Sequence, residues 1–196
     1  MAKTSGSTRG GGSKLSDSAL SKALKIGEAE IRYRKTEKGI AYDKDGNILF
    51  QKSGERSSVD FSDVPDSLKV NAILTHNHPS GTNNRYGIGS SLSGADIVFA
   101  VNKNLSQIRA VSGNYTFMIT RPKGGWNVNV RELYYRQNEE IKRTSKWWDK
   151  QLRKAKKSGD LQRYNTLVHR YNATVQHSIN KKLAKEFGLD YTWKKN

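Results

Sequence analysis

The sequence AILTHNHPSG, residues 72–81, is a short apolar run that ends in two histidines one residue apart. Branched and apolar residues followed by Pro79 and Gly81 are typical of a buried β-strand that stops at this point. Because side chains alternate along a strand, His76 and His78 lie on the same face. Two neutral imidazoles on one face supply half of a transition-metal site, although a polar loop can also carry two histidines.

The residues before this strand predict a helix and a hairpin. A helix is expected from residue 16 to about 35, with Ser16 or Asp17 as its N-cap. Two apolar stretches then flank Asp45-Gly46-Asn47, which is typical of a β-hairpin turn. Residues 57–63 predict a third short strand or its edge.

The residues after the hairpin complete a mixed α/β pattern. Pro65 favours a single helical turn ahead of the histidine strand. A helix is expected from about Ser93 to Asn102, followed by two strands around the turn at Gly113-Asn114. Helix, strands, strand, helix and strands in this order predict an α/β (α+β) domain with helices layered on a mixed sheet.

The C-terminal third predicts two long helices. In the first, from about Val128 to Lys157, larger residues recur every seven positions: Tyr134, Ile141, Trp148 and Ala155. This period places Tyr134 and Trp148 inside and leaves Trp147 exposed. After Ser158-Gly159-Asp160 a second helix runs to Gly188, which is a good C-terminal cap. The result is an antiparallel hairpin whose apolar faces need the α/β domain or another chain, so an oligomer is one expectation.

Positive charge is concentrated at the two ends of the chain. The net charge is +17, with 8 Lys/Arg and 3 Asp/Glu in residues 1–36, 9 and 8 in residues 37–122, and 18 and 7 in residues 123–196. The excess favours polyanionic partners such as nucleic acid, although Lys and Arg can also simply solvate long helices. The residues predicted to contact nucleic acid lie at the C-terminal end of the first long helix: Arg153, Lys154, Lys156 and Lys157.

Composition limits the classes of protein that remain. Of 196 residues, 34% are hydrophobic, and the mean hydropathy is −0.82, so the core is modest. No apolar run approaches the roughly 20 residues of a membrane span, and no secretory signal is evident, which favours a cytoplasmic or virion-associated protein. The absence of cysteine excludes disulfides and thiolate ligands. Three parts are expected: a flexible tail (1–15), a metal domain (16–122) and a basic hairpin extension (123–196).

The third ligand of a metal site must then be His, Asp or Glu. The nearest carboxylate downstream of the histidines is Asp96, in the pattern Ser93-x-x-Asp96. Such a pattern at a helix start is also a capping box, in which Ser and an acid satisfy free backbone amides. Taken alone, the pattern favours the cap. His169 and His177, on the second long helix, are expected to be surface or packing residues.

His76-x-His78-Pro79 followed by Ser93-x-x-Asp96 resembles the JAB/MPN+ (JAMM) zinc metallopeptidases, especially their bacterial RadC-like, phage and mobile-element branch. The resemblance covers roughly residues 37–120 and implies a deaminase-like α/β sandwich. It implies that His76, His78 and Asp96 bind Zn²⁺ and that Ser93 helps to stabilise the tetrahedral intermediate. One departure is the long insertion, PSGTNNRYGIGSSL, between the second histidine and Ser93.

The resemblance also implies a glutamate that acts as general base near the start of the first strand. We expect Glu37, because it heads that strand; Glu28 and Glu30 are expected on a solvated helix face, and Glu55 lies in a turn. The implied activity is hydrolysis of a peptide or isopeptide bond in a protein or peptide substrate. The alternative is a nucleic-acid-binding or virion structural protein that uses the fold as a scaffold.

Overall fold

A computed structural model of the chain describes residues 18–79 and 90–196. The helices are α1 (Ala19–Ile31), a 3-10 turn (Asp66–Leu68), α2 (Gly94–Asn102), α3 (Val130–Lys157) and α4 (Leu161–Phe187). The strands are β1 (Lys38–Tyr42), β2 (Ile48–Ser53), β3 (Ile73–Asn77), β4 (Gln107–Val111), β5 (Tyr115–Thr120) and β6 (Asp190–Lys195). The predicted tail, residues 1–15, and the predicted caps Ser16 and Asp17 lie outside the described residues; Ser18 caps α1.

The six strands form one mixed sheet in the order β2-β1-β3-β4-β5-β6. Only β3 and β4 run parallel; the other neighbouring strands are antiparallel. The parallel pair needs a long crossover, and α2 lies within it. The predicted α/β class is therefore confirmed, as are the hairpin at Asp45-Gly46-Asn47 and the turn at Gly113-Asn114. Gly46 has φ +89°, a conformation that favours glycine in this tight turn.

Helices cover both faces of the sheet because the strand side chains alternate. On one face, Ile31 of α1 is fully buried against Ile40 and Tyr42 of β1. Full burial of such a side chain contributes about 1.5–3 kcal/mol. The opposite face carries Leu74 of β3 and Ile108 of β4, which belong to a larger core with α2, α3 and α4. His76 follows Leu74 by two residues and so lies on this second face.

A buried ion pair lies between α1 and the sheet. Glu28 is only 3% exposed, and its Oε1 accepts a hydrogen bond of 2.5 Å from Arg109 Nε on β4. The expectation that Glu28 lies on a solvated face is therefore wrong, because Arg109 compensates its charge beneath the helix. The side chain of Glu30, two residues on, is 51% exposed, as expected.

The two long helices form the predicted hairpin and share the core of the sheet. Arg136 pairs with Glu186 near one end, and Ser145 Oγ contacts Tyr171 Oη nearer the other, so α3 and α4 are antiparallel. Gly188 caps α4 with φ +65°. The α/β layer packs against their inner faces. One hydrophobic cluster spans residues on both sides of position 122: Leu74, Ile97, Ile108, Leu133, Ile179 and Leu183.

Two further local expectations are wrong. Residues 57–63 contain no strand; Asp60 instead accepts a hydrogen bond from the Ser62 amide in a turn, and Phe61 packs into the core. Tyr134 is 56% exposed, whereas Trp148 packs against the core as predicted and Trp147 is exposed. The strand β6 was not expected at all. In the described ranges, no helix combines the length and apolar character needed to cross a membrane.

Candidate metal centre

His76 and His78 lie at the C-terminal end of β3, on the face of the sheet that carries α2. His76 is the fourth residue of β3 and pairs with Gly39 of β1, while His78 follows directly after the strand. The His78 amide donates to the carbonyl of Val111 at 2.9 Å, which continues the pairing with β4 beyond the strand end. Both imidazoles are at least nine-tenths buried. The backbone of three adjacent strands therefore fixes both side chains.

Asp96, in the first turn of α2, completes a three-residue cluster with these histidines. The Nε2 atoms of His76 and His78 are 3.0 Å apart. His76 Nε2 lies 3.3 Å from Asp96 Oδ1, and His78 Nε2 lies 3.6 Å from Asp96 Oδ2. In the part of the chain that the structure describes, this is the one group of three or more His, Asp or Glu residues arranged to hold a metal ion.

The spacing of the three donors fits a small tetrahedral metal. Ligand atoms that lie 2.0–2.1 Å from a tetrahedral zinc are about 3.3 Å from one another. The separations of 3.0 Å between the two Nε2 atoms, 3.3 Å from His76 Nε2 to Asp96 Oδ1 and 3.6 Å from His78 Nε2 to Asp96 Oδ2 bracket this value. Two imidazole nitrogens and one carboxylate also form a donor set that suits zinc. The cluster could therefore hold a metal ion with little movement of its side chains.

The proton positions of the two imidazoles follow from their contacts. His78 Nδ1 lies 3.3 Å from the carbonyl of Ser90; in the neutral tautomer whose proton is on Nδ1, this carbonyl accepts the hydrogen bond and Nε2 carries a lone pair. His76 Nε2–H can then donate to that lone pair when no metal is bound. A metal would replace this shared proton, and the hydrogen bond to Ser90 would hold His78 in the ligating tautomer.

Asp96 serves the helix cap and the cluster at once. Its Oδ2 accepts a hydrogen bond of 2.6 Å from the Ser93 amide, and its own amide donates to Ser93 Oγ at 3.1 Å. This reciprocal pair is the capping box that the sequence predicts. The other oxygen, Oδ1, faces His76. The two interpretations of Ser-x-x-Asp are therefore compatible, because a carboxylate has two oxygens with separate partners.

The charges of this cluster are strongly coupled. Burial would raise the pKa of Asp96, but the charge and hydrogen bonds of His76 and His78 outweigh it and hold that pKa well below its usual value. Burial would lower the pKa of His78, but Asp96 and Glu37 raise it. The carboxylate is thus ionised and available as a ligand across the neutral pH range.

Glu37 lies beside this cluster, immediately before β1. Its backbone is fixed by pairing with Glu55 and Gly54, at 2.7 and 2.8 Å. The residue is 8% exposed and lines the same cleft as the histidines. Burial raises the pKa of Glu37, an effect partly offset by His78 and His76. The raised pKa makes this carboxylate a stronger base than an exposed glutamate, beside a cluster that could hold a metal ion.

Ser93 also reaches the cleft, even though the preceding insertion is long. Residues 80–89 of that insertion lie outside the described residues, and Ser90 marks the point where description resumes. Ser93 Oγ accepts the Asp96 amide, so its O–H can donate into the cleft. The structure therefore brings together all five residues that the motif singled out: Glu37, His76, His78, Ser93 and Asp96.

The cluster forms one part of a cleft of about 860 Å³. The loop after β2, from Arg56 to Ser62, also lines the cleft, as does Phe99 of α2. Lys69 and Lys103 lie among the lining residues, and both pair with Asp66. The cleft is lined by apolar side chains together with polar and charged groups, and its size suits a small molecule or a peptide segment.

The predicted basic residues lie far from this cleft in sequence, at the end of α3. All four, Arg153, Lys154, Lys156 and Lys157, are exposed. Helical spacing places Lys156 on a neighbouring face and puts the other three on one stripe that continues towards the N-terminus of α3. That stripe, here called the basic stripe, consists of exposed residues: Arg143, Lys146, Trp147, Lys150, Arg153, Lys154 and Lys157.

Of the remaining histidines, His177 takes no part in the cluster. The side chain of His169 lies outside the described part of the molecule. His177 Nδ1 contacts Tyr191 Oη at 2.7 Å, and its ring packs on Trp193, so its expected role in packing is confirmed. Two residues that support the site, Ser90 and Asn180, were not predicted. Ser90 acts through its backbone carbonyl, and no side-chain motif could have identified it.

Comparisons of the chain with protein-family models, curated proteins and solved structures found no significant match. The JAB/MPN resemblance therefore rests on the His-x-His and Ser-x-x-Asp motifs of the sequence.

Proposed function

We propose that the chain is a zinc-dependent hydrolase of the JAB/MPN+ type that cleaves a peptide or isopeptide bond. One observation carries the proposal: three metal-ligand side chains and the buried carboxylate of Glu37 meet in one open cleft. The order of elements supports a JAB/MPN sandwich, with the His-x-His motif at the end of a central strand and the Ser-x-x-Asp motif at the start of the following helix.

The side chains suggest how such a reaction would proceed. When bound, zinc supplies Lewis acidity, which acidifies water and polarises a carbonyl group. Glu37 would accept the proton of the attacking water and return it to the leaving amine. The Ser93 hydroxyl would donate a hydrogen bond to the oxygen on which negative charge develops. Hydrolysis needs both proton steps, and Glu37 can perform both because its pKa is raised by burial.

Metal content provides the direct test. We expect the purified full-length chain to contain about one zinc per molecule, because the described residues supply one three-ligand set. Elemental analysis after purification without chelator, and again after adding zinc and removing the excess, would measure it. A chain that holds no zinc under either condition would contradict the proposal.

A second candidate function, nucleic-acid binding, is favoured by the basic stripe. Its six cations lie on one side of α3 over 15 residues, so the first and the last are about 21 Å apart along the helix. Trp147, 55% exposed, lies among them and offers an aromatic surface on which a base could stack. Cations that simply solvate a helix do not require an exposed tryptophan in their midst. The two candidate functions occupy different surfaces and can coexist.

Removing charge from the predicted nucleic-acid-binding residues is expected to weaken nucleic-acid binding without affecting zinc. In the full chain, Arg153, Lys154, Lys156 and Lys157 would all be changed to Gln. For each duplex phosphate that the variant no longer neutralises, the slope of log affinity against log salt should become shallower by about 0.9. Filter binding or anisotropy at several salt concentrations would measure the slope.

A matched control removes the same charge from the opposite side of the sheet, by changing Lys22, Lys25, Arg34 and Lys35 to Gln. Lys154, Lys156 and Lys157 also lie in the last turn of α3, where cations stabilise the helix end, so unfolding temperatures must accompany the binding data. Equal loss of affinity in the two variants would refute a specific basic surface on α3.

A further inference from the structure

Residues 90–93 hold both sides of the metal cluster in place. The carbonyl of Ser90 accepts the Nδ1 proton of His78, and Ser93 forms the capping box that orients Asp96. Two of the three donor side chains thus depend on the position of one short segment. Whatever fixes this segment therefore also fixes the geometry of the cluster.

A side chain of α4 fixes the segment. Asn180 is 1% exposed, and its Nδ2 donates to the carbonyl of Leu92 at 2.7 Å and to Ser91 Oγ at 3.1 Å. Gln176 Nε2 donates to Asn180 Oδ1 at 3.0 Å, which sets the orientation of the amide. The Asn180 amide thus bonds directly to two of the four residues in the segment.

A chain of hydrogen bonds supports the same segment from β6. Ser91 Oγ and Tyr191 Oη are 2.7 Å apart, and Tyr191 Oη lies 2.7 Å from His177 Nδ1. Ser91 Oγ accepts a hydrogen bond from Asn180 Nδ2, so its own O–H can donate to Tyr191 Oη. The Tyr191 O–H can in turn donate to His177 Nδ1. Every hydroxyl in this order both donates and accepts, as buried hydroxyls require.

We propose that Asn180 is a positioning residue for the metal cluster and that Tyr191 and His177 assist it by holding Ser91. The proposal rests on the proposed metal binding. It gives the C-terminal hairpin and β6 a direct role at the site, in addition to their packing against the core. Hydrogen bonds one step removed from a metal orient its ligands and typically account for 10–100-fold in affinity.

Two substitutions test this role in the full-length chain. Asn180→Leu keeps the branched shape and the number of side-chain heavy atoms but removes the donor, and we expect it to weaken zinc binding about 10–100-fold. Tyr191→Phe removes a single oxygen atom and should give a smaller loss in the same direction. Competition with a chromophoric chelator would measure affinity, and the visible spectrum of bound Co²⁺ would report the geometry of the ligands. The matched control is Asn165→Leu, at an exposed position of the same helix.

Metal-free unfolding temperatures separate positioning from simple destabilisation. A residue that only packs would lower the stability of the metal-free chain while leaving zinc affinity and the Co²⁺ spectrum of the folded protein unchanged. Such a result for both variants would overturn the proposal. If Asn180→Leu does not fold, the zinc affinity and the Co²⁺ spectrum of Tyr191→Phe alone test the proposal. If the wild-type chain itself binds no metal, the proposed function fails as well, so the two failures are distinguishable.

Discussion

Replacing Glu37 by glutamine is expected to leave bound zinc in place and to slow hydrolysis by about 10²–10⁴-fold, the usual contribution of a general base. The amide keeps the size and the hydrogen-bonding capacity of the side chain but cannot accept a proton from water. Glu37 lies outside the three-ligand group, so its loss should not release the metal. Zinc content and single-turnover cleavage of a substrate of the wild-type chain would be measured together.

Glu55→Gln provides the matched control for this prediction. Glu55 is exposed, and its backbone carbonyl bonds the Glu37 amide at 2.7 Å, so it lies nearby on the same side of the sheet. The same change of charge there should leave the rate near that of the wild type. A Glu37→Gln variant that hydrolyses the substrate at the normal rate would remove Glu37 from the mechanism. Loss of zinc from that variant would instead make Glu37 a ligand.

The parts of the fold that the sequence predicts well are those with local signals. The strand that ends in His76 and His78 is a short apolar run followed by proline, and α2 begins with a capping box whose partners are three residues apart. The ends of the long helices are marked by Asp160, an N-cap, and by Gly188, a C-cap. Each of these signals depends on neighbours in sequence, so no knowledge of the tertiary structure is needed to recognise it.

The incorrect predictions for Glu28 and Tyr134 concern helix faces whose partners are distant in sequence. Glu28 is buried because Arg109, 81 positions away, compensates its charge. Tyr134 is exposed because the buried stripe of α3 passes through Leu133 and then through polar residues, Gln137 and Glu140. Glu140 is held by pairs with Arg143 and Lys182. A hydrophobic period cannot reveal a buried stripe that includes polar residues satisfied by tertiary contacts.

The residues of the candidate site also divide into those marked by local sequence and those whose partners are distant in sequence. The His-x-His and Ser-x-x-Asp motifs are visible in the sequence, because each occupies a few residues on one element. Their convergence depends on β3 and α2 meeting at one end of the sheet, which only the fold establishes. Asn180 is harder still to identify. It is an asparagine in a long polar helix, and it matters because its amide reaches Leu92, 88 positions away. No pattern around residue 180 marks it.

Removal of a single metal ligand is expected to weaken zinc binding about 10²–10³-fold. Structural zinc sites with four ligands bind with about 10–16 kcal/mol in total, so each ligand carries roughly 2.5–4 kcal/mol. Asp96→Asn is the sharpest test, because the amide oxygen can still accept the Ser93 amide and preserve the cap while the carboxylate ligand is removed. His76→Ala removes a ligand without touching the cap. The two changes together should abolish binding, as measured by chelator competition.

Thermal unfolding gives an independent measure of the loss of zinc binding. A metal that binds only the folded chain stabilises it by about 2.7 kcal/mol when its concentration is 100 times the dissociation constant. The wild-type chain should therefore unfold at a higher temperature with zinc than without it, and the double variant should show no such shift. Asp149→Asn, at an exposed position of α3, and His169→Ala make the same chemical changes elsewhere and should retain the full shift. If Asp96→Asn also retained the full shift and the wild-type affinity, the carboxylate would be only a helix cap. In that case the two histidines alone could not provide the three-ligand site on which the proposed hydrolysis depends.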